Sequence, residues 1–344
     1  MIFAIILLVL LAFSLLYNLG NFAGGMVHPT ARFARAGGPR LDEVITEDNS
    51  AASKIAVILV DGIITGQAFD QGGNSMVEIV KAQLKRAEED DNVKAVVLKV
   101  DSPGGEVLAA DEIYRAIEDF QSKNPRKPVV ASMGSLAASG GYYISAPCRW
   151  IVANKLTITG SIGVIMHSWN YRGLMNKVGL RPEVYKSGKF KHMLSGEKEP
   201  DEITAEEKAM VQALIDETYA QFKQVVADGR SKANDRNKSG SDKGRKLASD
   251  WVDYADGRVL SGSEAFKLGF VDELGDFEDA VDRAKRMAGI RNANLIQYQL
   301  RYDISDLFRL FGKTEAPDIK LDLGMEPPKL QAGRLYFLSP SLAH

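Results

Sequence analysis

The sequence predicts an α/β fold in which buried strands alternate with covering helices. Three observations lead there. Ile55–Val60 and Val93–Val100 are short, apolar-rich runs of the length and composition of strands buried in a sheet. Ser75-Met-Val-Glu78 has the spacing of a reciprocal helix cap and puts Ile79, Val80, Leu84 and Ala87 on one helical face. Strand-like and helix-like segments then keep alternating, which calls for a parallel sheet with helices outside it.

Taken in order, Ile2 to Tyr17 is apolar and uncharged. A bilayer-spanning helix needs about 17–25 such residues, so residues 1–19 read as a single transmembrane anchor. A cleaved signal peptide would want a basic start and a small-x-small cleavage site. No Lys or Arg precedes the run, and Phe22-Ala-Gly-Gly25 fits poorly. Residues 20–53 read as a flexible linker, because Gly24-Gly25 and Gly37-Gly38-Pro39 interrupt any period. The body then runs over 54–300, with a tail at 301–344. Within the body, strands are expected at Ile55–Val60, Val93–Val100, Val129–Ser132 and Trp150–Ala153. Asp101–Gly105 reads as a tight loop, followed by a helix to about Gln121. Ser139 falls just past the third strand, where a short helix should begin. Thr204-Ala-Glu-Glu207 is a second capping box. It opens a long helix, to about Gly229, whose Met210, Leu214, Phe222 and Val225 share a stripe suited to core packing or subunit contact. Lys232–Lys246 reads as a solvated loop, and Leu260–Gln299 as a last helix–strand unit. The tail ends in the apolar patch Leu335-Tyr-Phe-Leu338.

Composition removes several function classes. A formal net charge of −2 over 344 residues gives no electrostatic case for nucleic acid. The lone Cys148 forms no internal disulfide, and its apolar neighbours make it a buried structural thiol. No Cys/His spacing suggests a metal site, and no cofactor is expected.

Two loops carry the chemistry. Asp101-Ser-Pro-Gly-Gly105 follows the second strand, and Ser139-Gly-Gly141 follows the third. Ligands collect at the carboxyl ends of strands in such sheets. Glycine lets a substrate approach backbone N–H groups closely, and those groups at a helix start favour negative charge. These are the parts of an oxyanion hole beside a serine nucleophile. The serine needs a base. His167 and His192 would make a Ser–His–acid triad, and a desolvated lysine could serve instead. From the residues alone, Lys186, Lys189 and Lys191 stay equivalent.

From Lys54 to about Gly289 the chain resembles the signal peptide peptidase A family of membrane-anchored Ser–Lys peptidases. The matching segments are Asp101–Gly105, Met133–Tyr143, Thr159–Val164, Lys186–Lys191 and Asp256–Val259. The resemblance implies Ser139 as nucleophile, Lys191 as general base and Ser161 as the group orienting the lysine amine. It implies an oxyanion hole from the N–H groups of Gly105 and Gly140. It implies a Clp protease/crotonase-like fold of repeated ββα units with a helical arm. It further implies a ring or dome of identical subunits that help build each other's sites, contacting through the long helix. Substrates would be hydrophobic peptides such as signal peptides left at the membrane; the patch at Leu335–Leu338 could fill the same groove. His192 departs from the Asp or Ser that usually follows the lysine. The resemblance puts the body outside the cytoplasm, whereas Arg32, Arg35 and Arg40 after the anchor favour the opposite by the positive-inside rule. Two other readings compete: an acyl-CoA enzyme of the same fold, and a silent membrane scaffold.

Overall fold

The computed structural model describes residues 38–68, 73–237, 243–301 and 336–338. The anchor expected at 1–19 lies outside them, and no helix among the described residues is long and apolar enough to cross a membrane. The strands are β1 (Leu41–Glu47), β2 (Lys54–Asp61), β3 (Val93–Ser102), β4 (Gly104–Glu106), β5 (Val129–Ala138), β6 (Trp150–Ala153), β7 (Ile158–Gly160), β8 (Val259–Ser261), β9 (Glu273–Leu274), β10 (Asn294–Leu300) and β11 (Tyr336–Leu338). The helices are α1 (Met76–Glu89), α2 (Val107–Lys123), α3 (Gly140–Ser145), α4 (Arg172–Val178), α5 (Ala205–Asn237), α6 (Gly262–Lys267) and α7 (Phe277–Ala288).

One large mixed sheet has the order β1-β10-β2-β3-β5-β6-β9, with β7 added to β5 and β8 to β7. From β10 through β9 the pairings along this path are parallel; β1 joins β10 antiparallel. Alternation along β2 and β3 splits the core in two. Ala56, Ile58, Val60, Val96, Leu98 and Val100 point to a large cluster shared with α1, α2, α3 and α5. Ile55, Val57, Ala95 and Val97 point to the other face, under Ala280, Val281 and Ala284 of α7. A period of two with both faces covered is what a parallel sheet between helix layers requires. Each fully buried Val or Ile there stabilises by roughly 1.5–3 kcal/mol.

Several expectations need correcting. The stretch read as linker holds β1, so the ordered body starts before residue 54. Its side chains are mostly exposed, and its order comes from pairing with β10 rather than from burial. The Asp101–Gly105 loop is the end of β3 and the start of β4. The long helix does not stop at Gly229 but continues to Asn237, into the expected loop. Gly229 is there for close packing: a Cβ on it would lie 2.6 Å from the Ala146 carbonyl oxygen. Both capping boxes formed as expected. Ser75 and Glu78 exchange bonds at 2.7 and 3.3 Å, and Thr204 and Glu207 at 3.0 and 3.2 Å.

Candidate active site

Strand β5 ends at Ala138 and the chain turns at once into α3, which leaves Ser139 at φ 53°, ψ −117°. A non-glycine residue held in so sparse a region costs of order 1–3 kcal/mol, so its surroundings must over-determine it. They do: its N–H donates to the Gly160 carbonyl and its own carbonyl accepts from Tyr143, both at 2.8 Å. Ser161 is its counterpart just past β7. It sits at φ 50° and its N–H donates to the Arg258 carbonyl at 2.7 Å. Ala138 pairs with Gly160, so each serine follows one member of a paired couple on adjacent strands. Both are buried, and the Ser139 Oγ has no hydrogen-bond partner among the described residues. A buried hydroxyl left unpaired is costly, and such groups call for a functional explanation.

The glycine loop of β4 faces this serine. The Gly104 carbonyl accepts from the Ile64 N–H at 2.9 Å, and Glu106 donates to the Ile64 carbonyl at 2.8 Å. By the alternation of a strand, Gly105 turns its N–H and C=O the other way. There it meets β11, which pairs antiparallel with Phe337 opposite Gly105. On the far side, Tyr336 and Ile165 exchange two bonds of 3.1 Å. The tail segment is thus a strand held between β4 and Ile165, with the Phe337 carbonyl facing the Gly105 N–H. Gly104, at φ +103°, is the wall of this pocket: a Cβ on it would lie 1.9 Å from the Phe337 oxygen and 2.6 Å from the Gly140 nitrogen. A Cβ on Gly140 would lie 3.3 Å from that same oxygen. Gly105 and Gly140, the latter next to Ser139 in the chain, therefore converge around one carbonyl oxygen.

Lys191 does not join them within one chain. Its side chain is exposed and makes no hydrogen bond or ion pair among the described residues; its N–H donates to the Gly188 carbonyl at 3.4 Å. Lys189 is engaged by Glu206 at 2.5 Å. The His192 Nε2 is buried and has no hydrogen-bond partner among the described residues, with Glu197 at 3.8 Å, beyond hydrogen-bond range. His167 is exposed. The segment carrying these residues is tied to the start of α5 by a buried Lys198–Glu207 pair at 2.7 Å, while Trp169, Leu174 and Tyr185 on it are exposed.

Sequence reasoning missed Ile165, which flanks the peptide strand, and Ile64, which pairs with β4 on its other edge; a single isoleucine in a loop carries no such signal. It quoted Tyr143 without a role and counted Phe222 as packing, yet both rings touch Phe337. Cys148 is fully buried, and burial pushes its thiol far up.

Comparison with known proteins gives the family. Residues 121–291 match the model of peptidase family S49, and residues 49–151 match that of Clp protease. A relative named as a protease in Methanocaldococcus jannaschii is 39% identical over 217 residues, 63% of each chain. Another, from Synechocystis sp., is 40% identical over 241 residues, covering 70% of this chain and 76% of the relative. A relative named signal peptide peptidase SppA, from Enterococcus faecium, is 36% identical over 267 residues, covering 76% of this chain and 72% of the relative. A strained, buried serine beside a glycine-walled carbonyl pocket, on a chain so matched, assigns the protein to peptidase family S49, as a serine-type peptidase with a Clp protease-like α/β domain.

Proposed function

We propose that the protein is a Ser–Lys endopeptidase that cuts extended, apolar peptides at a membrane surface, signal peptides among them. The observation that carries this is the Phe337 carbonyl, which faces the Gly105 N–H beside Ser139 as a scissile carbonyl would. In the reaction, neutral Lys191 takes the Ser139 proton as Oγ attacks the peptide carbon. The oxyanion is held by the Gly105 N–H, with Gly140 beside it. The C–N bond then breaks, and Lys191 returns the proton to the leaving amine. Water, deprotonated by the same lysine, releases the acyl group and restores Ser139. Ser161 orients the amine. A positioned base contributes about 10²–10⁴ in rate and an oxyanion donor about 10²–10³.

Lys191 is exposed and unpaired among the described residues, so on this reading it is delivered to the Ser139 of a neighbouring copy. The exposed Trp169, Leu174 and Tyr185 beside it support a copy-to-copy contact, since such residues gain by being covered. The assembly is a ring or dome built from ββα units with this segment as a helical arm. Residues 1–19 anchor it, with the body outside the cytoplasm. The test uses a fluorogenic apolar peptide and three chains: the parent, Ser139→Ala and Lys191→Ala. The parent should cleave and each variant should not, while mixing the two variants should restore part of the activity. Full activity of Lys191→Ala would remove it as the base.

A further inference from the structure

We infer that the slot lined by the adjoining rings of Tyr143 and Phe222 selects an aromatic side chain on the acyl side of the bond to be cut. This deepens the peptidase reading and rests on it. The residue whose carbonyl enters the pocket at Gly105 donates the acyl group, and in β11 that residue is Phe337. Its ring is fully buried. It stacks on Tyr143 with centroids 4.8 Å apart and planes at 26°. Phe222 stands 4.6 Å from it at 53°. The two walls also touch each other edge-on at 5.0 Å, so the three ring centroids form a near-equilateral triangle and Phe337 fills the corner that the two walls make.

The walls are fixed before any peptide arrives. Tyr143 belongs to α3, four residues past the nucleophile, and its hydroxyl donates to the Asp111 carboxylate at 2.9 Å. Tyr114 packs edge-on against its ring at 5.5 Å. Phe222 sits on α5, packed into the main core. A corner of two fixed rings gains dispersion and ring–ring attraction from an aromatic occupant. Leucine fills it incompletely, alanine leaves it empty, and a charged side chain finds no partner on either ring face. No sequence period marks this pairing, because the two walls lie far apart in the chain and Phe222 falls on a packing stripe.

The test uses peptides Leu-Tyr-X-Leu-Ser with X as Phe, Leu or Ala, each carrying a fluorophore and a quencher. For the full chain, kcat/KM for X = Phe should exceed that for X = Ala by roughly 30- to 100-fold, from burial plus ring stacking. Phe222→Ala should shrink that ratio below about tenfold. The resident tail competes equally with every peptide, so the ratio stands whatever the tail does. Binding separates this inference from the peptidase reading. In a full-length Ser139→Ala/Phe337→Ala variant, the tail has vacated the slot and nothing is cut. By fluorescence anisotropy that variant should bind the X = Phe peptide at least about tenfold tighter than X = Ala, one such step being about 1.4 kcal/mol. Phe337→Leu in place of Phe337→Ala serves if the latter does not fold. Equal binding of the two peptides overturns the aromatic slot even if cleavage is brisk. Selective binding without cleavage by the parent keeps the slot and removes the peptidase reading.

Discussion

Gly104→Ala tests the carbonyl pocket with a single methyl group. At φ +103° an alanine is strained by about 1–2 kcal/mol, independent of its neighbours. Its Cβ would also lie 1.9 Å from the Phe337 oxygen and 2.6 Å from the Gly140 nitrogen, far inside contact distance. The Gly140 amide is backbone next to Ser139 and cannot swing away as a side chain could. It must shift, or the carbonyl must leave. Loss of one aligned oxyanion donor lowers kcat by about 10²–10³, and a displacement near 1 Å of the reacting carbonyl has a similar effect. The expected result is a kcat at least about 100-fold down, with a Tm drop of only about 2–8 °C from the strain. Gly173→Ala is the control, since nothing lies within 4 Å of a Cβ there. Peptide turnover and thermal unfolding are measured on both. A Gly104→Ala enzyme that folds normally and keeps kcat within about threefold of the parent would refute the assignment of this pocket.

Three further outcomes follow from the same contacts. Ser139→Gly removes both a strained left-handed conformation and an unpaired buried hydroxyl, so it should raise Tm by about 2–4 °C while abolishing cleavage; a lower Tm would mean the serine is not strained. Arg230→Ala leaves Asp272, fully buried, without its cation, and strips a donor from the Ala146 and Cys148 carbonyls. Removing one partner of a buried pair costs about 3–5 kcal/mol, so thermal unfolding should begin roughly 10 °C lower, and an unchanged Tm would contradict this. Cys148 is fully buried with its thiol pushed up, so a thiol reagent should modify it only at the rate of global unfolding; fast labelling of the native protein would contradict that burial.

What could be read from the sequence was whatever local pattern decides. The apolar runs of β2 and β3 and the boxes at Ser75–Glu78 and Thr204–Glu207 are local, and they formed as read. What failed was decided at a distance. β1 has little burial of its own and exists because β10 pairs with it, about 250 residues later. Gly229 resembles a helix stop, but its missing Cβ makes room for the Ala146 carbonyl. Ser139 and its glycines were legible because reactive loops concentrate unusual residues in a few positions. Ile165 and the ring of Phe222 were not, since a peptide strand and its slot are built from ordinary hydrophobic residues brought together by topology. Lys191 was set apart from its neighbours only through resemblance, and a single chain leaves it away from Ser139.

The place of β10 between β1 and β2 has a consequence for how the enzyme is born. During synthesis β1 leaves the ribosome early and waits for a partner that does not yet exist. Ser161, likewise, takes its backbone support from Arg258, about a hundred residues downstream. The nascent chain therefore carries Ser161 long before it carries the carbonyl that holds it. Premature termination before residue 258 leaves a fragment that lacks this support.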